Sequence, residues 1–227
     1  MPKFVKAQEP FRFYTRLHLS EVTGFRAATL EQLVSLIKGV PGASIYHHTH
    51  RFLQQHQYLS PEPPNDFAYW ISHGLGEEEL AERLASIDTV QFSTIRALRN
   101  KIARTIDDYL EEYPSAKLKF TRSDEEFYFI KSISFALPTK YNATDLGEFL
   151  DILKKVTIDS IYFHVFESRL RLEKETNDFS YWMETSLGKK ACADEIARLD
   201  PYTYTLEDLR KAIIKIIEKK GSVYVDH

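Results

Sequence analysis

The sequence predicts a mainly α-helical protein, a tandem duplication of a roughly five-helix unit, with room for short extended or β segments at the start of each copy. Two observations carry this expectation. First, Phe11–His50 aligns without a gap on Phe127–Phe166, so that Phe11, Phe13, Thr23, Ser44, Ile45, Tyr46 and His48 meet Phe127, Phe129, Thr139, Ser160, Ile161, Tyr162 and His164. After a small deletion, Asn65-Asp66-Phe67-Ala68-Tyr69-Trp70 meets Asn177-Asp178-Phe179-Ser180-Tyr181-Trp182. Second, most apolar positions within each copy recur at helical spacing. The expected division is a first repeat over 1–120 and a second over 121–227, joined through the polar stretch Tyr113–Glu126.

Each element has a local reason. The openings, with Phe11, Phe13, Leu17 and Leu19 and then Phe127, Phe129, Ile133, Phe135 and Leu137, alternate at period two, which suits a strand or an extended segment packed on helices. A first helix carries Leu30, Leu33, Val34 and Ile37, matched by Leu146, Phe149, Leu150 and Leu153. Thr29 with Gln32, and Asp145 with Glu148, form capping boxes at its start. A second helix begins near Ser44 and Ser160, and a third at the N-caps Asn65 and Asn177, closing at Gly76 and Gly188. Leu80, Leu84 and Ile87 mark a fourth helix, matched by Cys192, Ile196 and Leu199. Ile95, Leu98, Ile102 and Ile106 mark a fifth, matched by Leu206, Leu209, Ile213 and Ile217.

Composition narrows the function classes. The chain has 227 residues, 43% hydrophobic and 28% charged, enough to bury a core without disulfides or a structural metal. One cysteine, no apolar h-region in Met1–Pro10 and no run of about 20 apolar residues predict a cytoplasmic protein without a membrane partner. With 30 basic against 33 acidic residues, nucleic acid is not an expected partner. The P-loop, GxGxxG, GxSxG, HExxH and CxxC patterns are all missing, so no cofactor is expected.

Candidate chemistry gathers around histidine. His48 and His164 fall on the inward face of their helices, with Asp66 and Asp178 as plausible partners and Tyr46 and Tyr162 as nearby phenols. As catalysts the histidines would be general bases and the tyrosines proton donors. As core residues the same histidines need only hydrogen-bond partners, with Asp66 and Asp178 as first-turn charges favoured by the helix dipole. His47 and His50, one helical turn apart, are weak metal candidates, because their matches are Phe163 and Phe166. Tyr69 and Tyr181 leave the main apolar face of the third helix and mark either the interface between the copies or a binding surface. Cys192 stands where the first copy has Leu80 and reads as a small core residue.

The wording of Ser44–Phe52, Ser60–Trp70 and Leu75–Ala85 resembles an uncharacterised prokaryotic domain-of-unknown-function family over nearly the whole chain. The resemblance implies a bacterial, cytoplasmic protein and supplies no catalytic residues. The leading functional expectation is therefore a non-enzymatic helical interaction or scaffold module that binds a protein partner or itself. The alternative is a small-molecule or metal-dependent enzyme using His48 and Asp66 with neighbouring tyrosines.

Overall fold

The computed structural model describes residues 5–55, 65–168, 176–199 and 203–220; His56 and the segment 60–64 lie outside them. Strands β1 (Lys6–Ala27) and β2 (Phe127–Asp145) pair as a two-stranded antiparallel sheet. Contacts fix the register. Thr139 Oγ1 donates to the Phe13 carbonyl at 2.7 Å, Lys131 meets Glu21 at 2.9 Å, and Thr23 Oγ1 donates to the Phe129 carbonyl at 2.7 Å, so residue numbers fall on one strand as they rise on the other.

These strands overturn the expected fold class. They are 22 and 19 residues long, not short openings, and the helices that follow them do not form a duplicated five-helix unit. After β1 come α1 (Leu30–Gly39), α2 (Gly42–Gln55), α3 (Asp66–Leu75), α4 (Glu78–Ala85) and α5 (Ile95–Glu112). After β2 come α6 (Leu146–Leu153), α7 (Ile158–Tyr162), α8 (Asp178–Thr185), α9 (Lys190–Ala197) and α10 (Leu206–Lys220). Among the described residues the fourteen-residue α2 has no counterpart of its length after β2, where α7 covers five residues before passing into a π-helical turn at Phe163–Glu167. The strands outrun their alternating cores because backbone pairing continues where side chains are exposed, as at Leu19, Val22 and Phe25.

The chain divides into two compact units, and neither is one continuous stretch. One takes β1 from His18, β2 as far as Ser134 and helices α1–α5. The other takes β1 as far as Leu17, β2 from Phe135 and helices α6–α10. In the first, Phe127 and Phe129 of β2 join Leu30, Leu33 and Ile37 of α1, Phe67 and Ile71 of α3 and Ile102 and Ile106 of α5 in one core. In the second, Phe11 and Phe13 of β1 pack edge-on and tilted against Phe149 of α6 and Phe179 of α8, with ring centroids 5.2–6.2 Å apart. Burying each ring contributes about 2–3 kcal/mol, so the helices hold the strands chiefly through the four strand phenylalanines Phe11, Phe13, Phe127 and Phe129.

Most helix ends are closed by the residues the sequence nominates, but α8 stops at Thr185 with Ser186 as its C-cap, two residues before the expected Gly188. Thr29 and Asp145 accept from the Gln32 and Glu148 amides, while the Gln32 and Glu148 side chains reach back to the Ala28 and Thr144 amides. Asn65 and Asn177 accept from the Ala68 and Ser180 amides at 2.9 Å. Gly76, at φ 64°, closes α3 in the left-handed region. Asn65 also donates to the Leu84 carbonyl, tying α3 to α4. Replacing Asn65 by Ala is therefore expected to cost about 1–2 kcal/mol in urea denaturation, against a few tenths for Thr94→Ser, which keeps a cap on α5.

Candidate functional site

His48 sits on α2 with its side chain 3% exposed, inside a cage of aromatic rings from Phe67, Phe127 and Phe129. Both ring nitrogens are engaged. Nδ1 lies 2.7 Å from Asp66 Oδ2 at the start of α3, and Nε2 accepts the Ile130 amide of β2 at 3.0 Å. In the other unit His164 lies among Phe11, Phe13 and Phe179. Its Nδ1 is 2.7 Å from Asp178 Oδ2 of α8, and its Nε2 accepts the Tyr14 amide of β1 at 2.9 Å.

These contacts assign the proton. A carboxylate only accepts and a backbone amide only donates, so each imidazole is neutral, protonated on Nδ1 and bare on Nε2. Aspartate sets the tautomer and histidine satisfies a strand amide on the edge that β1 and β2 do not use for each other. Neighbouring side chains do the same for carbonyls. Trp70 and Trp182 donate to Glu125 and Glu9 at 2.7 Å, and Ser160 donates to Tyr14 at 2.6 Å. The placement follows from local sequence: an asparagine cap puts each aspartate in a first helical turn, where the helix dipole favours its charge.

The structure thus brings His48 to Asp66 and His164 to Asp178, and in both pairs the nitrogen a general base would use is occupied by a backbone N–H. Tyr46 stacks on His50 at 5.1 Å and 8°. Tyr162 is fully buried, with the Arg16 guanidinium 4.1 Å above its ring; Arg16 also pairs with Glu167. Cys192 is buried, its thiol pushed up to about 11 chiefly by desolvation, which suits a core residue and not a nucleophile.

His47, His48 and Asp66 each offer a ligand atom within 4.8 Å of the others, and His50 is outside that group. A metal on His48 Nδ1 would require its proton to move to Nε2, where it would face the Ile130 N–H, so His48 does not fit as a ligand. His50 is buried beside the Thr49 hydroxyl at 2.8 Å. Desolvation lowers its pKa from 6.5 to about 4, against a backbone hydrogen bond with Thr89 that acts the other way. His47 Nδ1 instead lies 3.0 Å from Ser132 Oγ, which is also 3.2 Å from His18 Nε2. Sequence reasoning missed Ser132 and His18, since strand pairing and not spacing brings them to α2.

Tyr69 and Tyr181 are 47% and 42% exposed. Tyr69 stacks on His73 at 4.1 Å, and Tyr181 lines an open groove of about 700 Å³ with Arg12, Asp178, Trp182 and Thr185.

Two outcomes follow. His164→Leu leaves the Tyr14 amide and Asp178 without their ring partner and is expected to lower unfolding free energy by about 2–4 kcal/mol. Asp178→Asn keeps an acceptor for Nδ1–H and costs about 1 kcal/mol; urea denaturation measures both. His50 is neutral when folded and takes a proton near pH 6.5 when unfolded. Its contribution is whole above pH 6.5 and is lost as pH falls toward 4, about 3 kcal/mol in all. A His50→Phe variant should therefore show a shallower decline in stability between pH 6.5 and 4 than the unaltered protein.

Comparison with known proteins gives no function directly. No curated protein matches the chain. The structure of OrfY from Thermoproteus tenax is similar to it, with 28% identity over 96% of this chain and 99% of that one and a TM-score of 0.82. The model of a family of unknown function, DUF5752, matches residues 8–218, and the chain belongs to that family.

Proposed function

We propose that this protein is a non-enzymatic interaction or scaffold module of the cytoplasm that binds a protein partner or a second copy of itself. The observation that carries the reading is the occupation of both ring nitrogens in His48 and His164, which spends the best candidate bases on holding strands to helices. An acid–base site needs a nitrogen that a substrate can reach, and each of these rings is almost wholly buried.

Surface chemistry supports the same reading. Tyr181 offers a half-open aromatic face in a groove also lined by Arg12 and Trp182, and tyrosine, arginine and tryptophan are the residue types that serve as anchors at protein interfaces. In that unit Leu17 and Phe135, opposite each other in the strand register, are about half exposed, and Leu137 follows on the same face. In the other unit Tyr69, Phe120 and Tyr128 are exposed aromatics, together with Leu19, Val22 and Phe25 of β1. Apolar side chains left in water along paired strands favour association that covers them.

Light scattering across a micromolar concentration series, with affinity capture from cell extract, tests the proposal. The expected result is a concentration-dependent oligomer or a captured protein, lost by about tenfold in affinity in Tyr181→Ala or Leu17→Ser without a fall in melting temperature. A monomer at every concentration with no captured protein would overturn it, and so would selective thermal stabilisation by a small metabolite that depends on His48.

A further inference from the structure

Beyond that reading, we propose that His18, His47 and Ser132 form a binding site for one divalent transition-metal ion of the zinc or cobalt type. The three side chains come from β1, α2 and β2 and belong to the same compact unit. Ser132 Oγ is 3.0 Å from His47 Nδ1 and 3.2 Å from His18 Nε2, and the two rings face each other at 27° with centroids 6.4 Å apart. Two imidazole nitrogens therefore converge on one point.

The hydroxyl can bridge the two rings, and the same three donors also suit a metal ion. A serine hydroxyl has one proton and satisfies one imidazole as acceptor, so the second imidazole has to turn its own N–H toward the same oxygen. An ion accepts lone pairs from both nitrogens at once. Ligand distances of about 2.0–2.1 Å place the ion between the two nitrogens with Ser132 Oγ shifted aside to become a third ligand, and water completes a tetrahedral shell. Two imidazoles and an oxygen are the donor set of zinc, copper or nickel and not of magnesium or calcium. Asp66 Oδ2 stays with His48 Nδ1, so the strand-holding contact survives metal binding.

The neighbouring histidines stay out of the ligand set for stated reasons: His48 by its Ile130 contact and His50 by the Thr49 hydroxyl and its burial. In the sequence alignment, Ser134 stands opposite His18, Phe163 opposite His47 and Arg16 opposite Ser132, so the donor set does not recur and one ion per chain is the expected stoichiometry. Bound there, the ion would fasten β1, β2 and α2 at one point and stabilise the unit in proportion to its affinity.

Metal-free protein titrated with Co²⁺ and Zn²⁺ tests this, read by the visible absorption of tetrahedral cobalt, by calorimetry and by the melting temperature. The expected result is one equivalent bound with a rise in melting temperature, affinity reduced at least about tenfold in His18→Gln, and no change in His73→Gln, a histidine stacked on Tyr69 elsewhere on the surface. His18 is only partly buried, so its variant folds and decides the matter even if His47→Gln does not. Absence of a cobalt spectrum and of binding heat, or undiminished affinity in His18→Gln, would overturn the proposal.

Discussion

A neutral imidazole accepting a strand amide is the contact on which the two compact units depend. A two-stranded sheet uses one edge of each strand for pairing and leaves the other edge's amides and carbonyls to be satisfied elsewhere. Here helices supply the missing partners, with His48 and His164 taking strand N–H groups, Trp182 and Ser160 giving to β1 carbonyls and Trp70 giving to the Glu125 carbonyl just before β2. The aspartate behind each imidazole keeps Nε2 free of a proton, so the hydrogen bond to the strand depends on a carboxylate the strand never touches. Phenylalanine packing brings strand and helices together without direction; these hydrogen bonds fix which strand residue lies against which helix.

That arrangement also underlies the proposed role. A histidine beside an aspartate invites a catalytic reading, yet the same pair is a structural device when its outer nitrogen faces a backbone amide. The aromatic cages exclude water from both rings, which strengthens the two hydrogen bonds and closes the approach a substrate would need. What remains open is surface: tyrosines on α3 and α8 and apolar side chains along the strands; beneath it, His18, His47 and Ser132 converge in one unit, and the sequence of the other does not repeat them.

Local features were legible in the sequence because local physics decides them. Asn65 and Asn177, Thr29 with Gln32, Asp145 with Glu148 and Gly76 all announce helix ends through hydrogen bonds made within a few residues. The inward face of His48 and its partnership with Asp66 could be read from helical spacing and the cap that fixes Asp66. The strand lengths could not. Alternation is visible at Phe11–Phe13 and Phe127–Phe129, where helices cover one face, and fades where Leu19, Val22 and Phe25 are exposed and only backbone pairing persists. Nor could periodicity reveal that Ile130 meets His48 or that Tyr14 meets His164, since those contacts join segments 82 and 150 residues apart. The same long-range pairing explains why His47 finds His18 through Ser132 instead of His50 one turn away.

Long-range ¹H–¹⁵N spectroscopy of the histidine rings tests the strand-holding contact most directly, since it reports which nitrogen carries the proton and which amide donates to the other. The account requires the Nδ1–H form for His48 and His164 at neutral pH, with scalar coupling across hydrogen bonds from the Ile130 and Tyr14 amides to Nε2. Protons on Nε2, or rapidly exchanging Ile130 and Tyr14 amides without such coupling, would contradict it.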